Sequence, residues 1–353
     1  IAVTVTSAND NAPVITSGST ASVAENTTAV MTVTATDSDQ PAQTLSFSIV
    51  GGADAAKFTI NASTGALSFL TTPDYETPTD AGGNNIYDVT VQVSDGQGST
   101  DSEAIAVTVT SANDNAPVIT SGATANVAEN TTAVMTVTAT DADQPAQSLS
   151  FSIVGGADAA KFAINSSTGA LSFISAPDFE TPTDAGGNNI YDVTVQVSDG
   201  QGSTDSEAIA VTVTSANDNA PVITSGATAS VAENTTAVMT VTATDADQPA
   251  QTLSYSIMGG ADAAKFTINA STGALSFISA PDFESPTDAG GDNVYDVIVE
   301  VADGRGSTDS QAIAVTVTSA NDNAPVITSG STASVAENTT AVMTVTATDA
   351  DQP

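Results

Sequence analysis

Apolar and polar residues alternate one by one along much of the chain. Tyr87, Val89, Val91 and Val93 alternate with Asp88, Thr90, Gln92 and Ser94, and Ile105, Val107 and Val109 with Ala106, Thr108 and Thr110. Met31, Val33 and Ala35 interleave with threonines, and Leu45, Phe47 and Ile49 with serines. A period of two gives each extended segment one apolar face. Phe58 and Ile60, then Leu67 and Phe69, flank the turn-like Asn61-Ala62-Ser63-Thr64-Gly65. With an opening strand near Val14 and Val23, the pattern predicts about seven strands separated by Gly, Pro, Asp and Asn turns. No long segment has a helical period. One apolar face per strand implies two antiparallel sheets packed on each other, so the expected fold is an all-β, seven-stranded Greek-key sandwich.

The pattern recurs. Asn9-Asp10-Asn11-Ala12-Pro13-Val14-Ile15 returns at Asn113, Asn217 and Asn321, at an offset of 104 residues each time. Residues 12–115 and 116–219 differ at ten positions. The period is too long for a solenoid repeat and matches one sandwich domain of about 100 residues. The expected units are 12–115, 116–219 and 220–323, in an elongated tandem array. Residues 1–11 correspond to the last strand and linker of a preceding unit, and 324–353 to the start of a fourth. Both ends therefore read as cuts in a longer array.

Composition narrows the chemistry. The 353 residues carry 41 Asp and Glu against 4 Lys and Arg, a net charge of −37, with no Cys, His or Trp. Such a surface repels phosphate backbones and anionic lipid, which argues against nucleic-acid and membrane-surface binding. Disulfides, thiolate chemistry and zinc fingers are excluded, and no apolar run is long enough to insert in a membrane. The acids stand in small groups at strand ends. Asp37/Asp39 and Asp74/Glu76 occupy alternate positions, so an extended backbone presents each pair to one point. Asn113-Asp114-Asn115 adds amide, carboxylate and carbonyl oxygens. Asp, Asn and Gly also populate turns for purely local reasons, and any single pair is compatible with that. Taken together, oxygen-only donors without His or Cys select a hard cation, and carboxylates on flexible strand ends suit calcium over magnesium.

In this arrangement the units resemble cadherin repeats. That family carries an early Glu, an Asp-x-Asp, a Leu-Asp-Arg-Glu-like segment, an Asp-x-Gly and a DxNDN linker before Ala-Pro. The sequence shows Glu25, Asp37-Ser38-Asp39, Pro73-Asp74-Tyr75-Glu76, Asp95-Gly96 and Ser111-Ala112-Asn113-Asp114-Asn115-Ala116-Pro117. Two departures stand out: Ser111 replaces the first linker Asp, and Tyr75 or Phe179 replaces the Arg. The resemblance covers the whole chain and implies about three calcium ions at each complete junction, shared by both neighbours. Between units 1 and 2 the implied ligands are Glu25, Asp74, Glu76, Asn113, Asp114 and Asn115 with Asp141, Asp143 and Asp199. The next junction draws on Glu129, Asp178, Glu180, Asn217, Asp218 and Asn219 with Asp245, Asp247 and Asp303. The last uses Glu233, Asp282, Glu284, Asn321, Asp322 and Asn323 with Asp349 and Asp351. The first, incomplete one has Asn9, Asp10 and Asn11 with Asp37, Asp39 and Asp95.

Those assignments imply a calcium-stiffened extender of a cell-surface adhesin or filament. The competing expectation is that the repeats are themselves adhesive, toward identical chains or a polysaccharide. The strand-exchange Trp of animal cadherins is absent. Lys57, Lys161 and Lys265 recur, but one solvated lysine per unit does not make a catalytic base, and the chain is not expected to be an enzyme. Near-identical, Cys-free, acidic units also resemble the arrays of large bacterial surface adhesins. Weak calcium sites need extracellular calcium, so the expected location is the cell surface.

Overall fold

The computed structural model describes residues 1–351. The first complete unit contains β1 (Val14–Ile15), β2 (Thr20–Ala24), β3 (Ala29–Thr32), β4 (Ala35–Thr36), β5 (Ser46–Gly51), β6 (Phe58–Ile60), β7 (Ala66–Phe69), β8 (Ile86–Ser94) and β9 (Thr100–Thr110). One sheet has the order β2-β9-β8-β5, the other β3-β7-β6, and β1 pairs with β4. β1 and β2 are two halves of the predicted opening strand, and β3 and β4 two halves of the next, so nine segments trace the expected seven strands. The same elements and pairings recur in the second and third units.

The prediction of purely antiparallel sheets needs one correction. β2 runs parallel to β9, from Thr20↔Ala106 to Ala24↔Thr110. The opening strand changes sheets: its first half pairs antiparallel with β4, and its second half joins the far edge beside β9. Residues 1–10 form no strand, and Ile1, Val3 and Val5 are exposed. In the described part of the last segment, Val326–Ile327 pairs with Ala347–Thr348 as β1 pairs with β4.

The alternating faces meet as expected. Tyr87, Val89, Val91, Val93, Ile105, Val107 and Val109 of the larger sheet pack with Phe58, Leu67 and Phe69 of the smaller one and with Val33 between β3 and β4, all buried. Phe58 stacks on Phe69 with centroids 4.5 Å apart, and Tyr87 meets Phe69 edge-on at 5.1 Å. The Tyr87 hydroxyl accepts the Thr79 backbone N–H at 3.2 Å. Gly65 closes the β6–β7 turn at φ +72°, where a Cβ would lie 2.1 Å from the Val33 carbonyl oxygen. Only glycine fits that position.

Some buried acids serve the fold alone. Asp54 accepts the backbone N–H groups of Ala81 at 2.8 Å and Asp88 at 3.0 Å, tying the loop before β8 to the turn after β5. Asp80 is also buried, which alone would raise its pKa. The N–H groups of Asn84, Asn85 and Gly82 outweigh that burial and hold its carboxyl below the ordinary Asp range. Asp54→Ala strands two backbone donors that now bond an ionised group, each bond worth about 1.5–3 kcal/mol. Unit 1 should then unfold in urea well before units 2 and 3, seen as an early, separate transition. A single unshifted transition would show that Asp54 is dispensable.

Candidate metal centres at the domain junctions

Each junction is built around a buried glutamate at the end of β2 or its equivalent. Glu25 is only 2% exposed. Its Oε1 accepts the Ala112 N–H at 2.6 Å and its Oε2 the Tyr75 N–H at 2.7 Å. One side chain thus holds the loop after β7 and the linker after β9. Glu76 comes from that loop and Asp114 from that linker. Carboxylate oxygens of Glu25, Glu76 and Asp114 lie within 4.8 Å of one another.

Glu76 is the anomaly in this group. Both of its oxygens are buried and neither has a hydrogen-bond partner, and the same is true of Glu180. Burial pushes the Glu76 carboxyl above the ordinary Glu range, and the charges of Glu25 and Asp114 push it further. Glu180 is raised in the same way, by burial and then by Glu129 and Asp218. Buried ionisable oxygens without partners are rare in folded proteins and are costly to keep. Here they face two more carboxylates, an environment that favours a cation.

The other half of the junction comes from the linker and the following unit. Asn113 Nδ2 donates to Asp199 Oδ2 at 3.0 Å, and Asn115 donates to Asp143 Oδ1 through its backbone N–H at 3.1 Å and its side chain at 2.8 Å. Asp143 is buried, and its own N–H bonds Asp141 Oδ1 at 3.1 Å, which leaves Asp141 Oδ2 buried without a partner. Asp199 is held below the ordinary Asp range, first by the Asn113 side chain.

The construction repeats. Glu129, Glu180 and Asp218 form the corresponding group, with Asn217 on Asp303, Asn219 on Asp247, and Asp245 Oδ2 unpartnered. The carboxyl of Asp303 is lowered to about 2, first by the Arg305 backbone N–H. The last junction gathers Glu233, Asp282 and Glu284, and also Glu284 with Asp322 and Asp351; Asn323 bonds Asp351. Around residue 10, Asn9 bonds Asp95 and Asn11 bonds both Asp10 and Asp39.

The predicted residues therefore converge unevenly. Glu25, Glu76 and Asp114 come together from three separate segments. Asp74 is exposed, with Oδ1 on the Thr77 N–H, and lies outside the tight group; its counterpart Asp282 lies inside the third. Asp141, Asp143 and Asp199 share their immediate neighbourhood with asparagine amides. Spacing alone also missed Asn26, whose side chain donates to Asp114, and Gln147, which donates to Asn113 and Asp143. The signal available for them was repetition: Asn130, Asn234, Gln43 and Gln251 do the same in the other copies. The donor set fits a hard divalent cation. It offers only oxygens, several are charged, and Glu76 Oε1, Glu76 Oε2 and Asp141 Oδ2 are buried atoms without a hydrogen-bond partner.

The cadherin domain family matches residues 19–110, 123–214 and 227–318. Protocadherin Fat 1 of Homo sapiens is 32% identical over 346 residues, covering 92% of the chain and 7% of that protein. The wing polarity protein stan of Drosophila melanogaster is 30% identical over 337 residues, covering 90% of the chain and 9% of that protein. The chain thus spans under a tenth of the length of either relative. Among solved structures, the Protocadherin GammaB4 extracellular domain superposes with a TM-score of 0.69 at 25% identity, covering 99% of the chain and 58% of that one. Among the described residues no helix is long and apolar enough to cross a membrane.

Proposed function

The chain belongs to the cadherin family, and on that premise we propose that it is a calcium-stiffened extender, a run of non-enzymatic spacer domains in an extracellular, cell-surface adhesion protein. Its units are bounded at about residues 12–115, 116–219 and 220–323, and the ligands are the junction residues named above. The observation that carries this reading is the pair of buried, partnerless Glu76 oxygens facing Glu25 and Asp114, repeated at Glu180.

Bound calcium would supply positive charge and six to eight oxygen coordination positions. The protein supplies the rest. Glu25 fixes the loop after β7 against the linker, and this aims Glu76 and Asp114 at one point. Asn113 and Asn115 orient Asp199 and Asp143 from the far side. A cation between these halves would neutralise groups that otherwise repel, and would add to the few hydrogen bonds that link the two domains. Near-identical copies suit the role, because a spacer needs one junction many times and no unique face.

A calorimetric titration should show calcium binding with dissociation constants of about 10⁻⁴ to 10⁻³ M. Asp143→Ala should lose the binding associated with the unit 1–2 junction while all three sandwiches keep their folded circular dichroism. Equal calcium uptake by parent and variant would remove Asp143 from the site, and no uptake by the parent would remove calcium from the function.

A further inference from the structure

We propose that the Gln144-Pro145-Ala146-Gln147 loop is a metal-independent clasp across the junction, and that Gln147 is a positioning residue for Asn113 and Asp143. The second part rests on the calcium reading. The first does not.

The loop belongs to the following unit, between the strands Ala139–Thr140 and Ser150–Gly155. At one end it reaches the preceding unit: the Ser111 hydroxyl, one residue beyond that unit's last strand, donates to the Gln144 carbonyl. At the other end it holds the linker. Gln147 Nε2 donates to Asn113 Oδ1 and, at 3.1 Å, to Asp143 Oδ2. Asn113 is then fixed at both ends of its amide, because its Nδ2 already bonds Asp199. The flip of that amide is settled, with its nitrogen on Asp199 and its oxygen on Gln147. Each contacted oxygen has a second lone pair, so the amide orients the two ligands without using up their capacity for a cation.

The same bonds occur at two other junctions. Ser7 donates to the Gln40 carbonyl, and Gln43 to Asn9 and Asp39. Ser215 donates to the Gln248 carbonyl, and Gln251 to Asn217 and Asp247. The donors are neutral hydroxyls and amides, so their attraction survives when metal leaves and the acids repel. This gives the serine at position 111 a role of its own: in place of a further acid it offers a bond to the next domain.

The chain has no cysteine, so Val50→Cys and Val154→Cys, at exposed equivalent positions in units 1 and 2, accept spin labels cleanly. Distance distributions by double electron–electron resonance in excess EGTA, on the full chain, test the clasp. Ser111→Ala and Gln147→Ala should each broaden the distribution relative to the parent. A calcium titration should show affinity at that junction weakened about tenfold by Gln147→Ala, the scale expected when a partner of a metal ligand is lost. Ser111→Ala should leave that affinity within about twofold of the parent, since it touches no ligand oxygen. Unchanged widths in both variants would overturn the clasp, and unchanged affinity in Gln147→Ala would overturn its positioning role. A parent that binds no calcium would defeat the extender reading, while the EGTA comparison would still decide the clasp.

Discussion

Adding excess EGTA to the calcium-loaded chain should shorten and broaden its distance distribution in small-angle X-ray scattering. The ligands proposed for the unit 1–2 junction include seven carboxylates: Glu25, Asp74, Glu76, Asp114, Asp141, Asp143 and Asp199. Three of them lie within 4.8 Å of one another. Two such charges at about 4–5 Å repel by roughly 3–4 kcal/mol at an effective dielectric of about 20. Three divalent ions, the number the family resemblance implies, nearly cancel seven negative charges. Without them only the hydrogen bonds of Ser111, Gln147, Asn113 and Asn115 oppose that repulsion, and the domains should swing about residues 111–115. A profile that does not change on chelation would mean that stiffness comes from contacts other than the ions.

Glu76→Gln should have opposite effects with and without metal. In calcium it removes one of the three clustered charges, and affinity at the unit 1–2 junction should fall at least about tenfold, or about 1.4 kcal/mol. Junction 2–3, which uses Glu180, should titrate as before. In EGTA the same change should raise the melting temperature. The Glu76 carboxyl sits above its ordinary range because of burial first and its acidic neighbours second. A raised acid pKa means that folding disfavours the charged form, so the penalty is present at neutral pH and relieved as pH falls toward the ordinary Glu value of about 4.3. The metal-free parent should therefore gain stability across that interval, and the variant should gain less. Asp80, whose carboxyl is lowered, runs the other way: its stabilisation is complete above the ordinary Asp range and is lost as pH falls below it. A lower melting temperature for the variant in EGTA would mean that Glu76 is a structural partner and not a waiting ligand.

The sandwich was legible because period-two alternation is a local consequence of strand geometry. Tyr87, Val89, Val91 and Val93 face the core as their spacing requires. The parallel β2–β9 pairing was not legible, since no local pattern records which neighbour an edge strand chooses. The family resemblance supplied most of the site, and the structure adds which acids converge. Glu25 and Glu76 are fifty-one positions apart and meet only because Tyr75 N–H and Ala112 N–H both seek the Glu25 carboxylate. Asp54 and Asp80 had the same composition signal as the ligands, yet backbone donors satisfy them fully enough to make them parts of the fold. What sets Glu76 and Asp141 apart from these turn acids is a buried oxygen with no proton donor, which spacing does not reveal.

The parallel edge also decides how each domain meets a pulling force. The chain enters the larger sheet at the start of β2 and leaves it at the end of β9, and these two strands are bonded neighbours over five residue pairs. Tension along the array draws Thr20 and Thr110 in opposite directions along the same ladder. The load is shear, spread across all of its hydrogen bonds together, instead of peeling them one after another. Every complete unit has this arrangement, so a pulled chain has no intrinsically weak link among its sandwiches, and the first extension under load falls to the junctions.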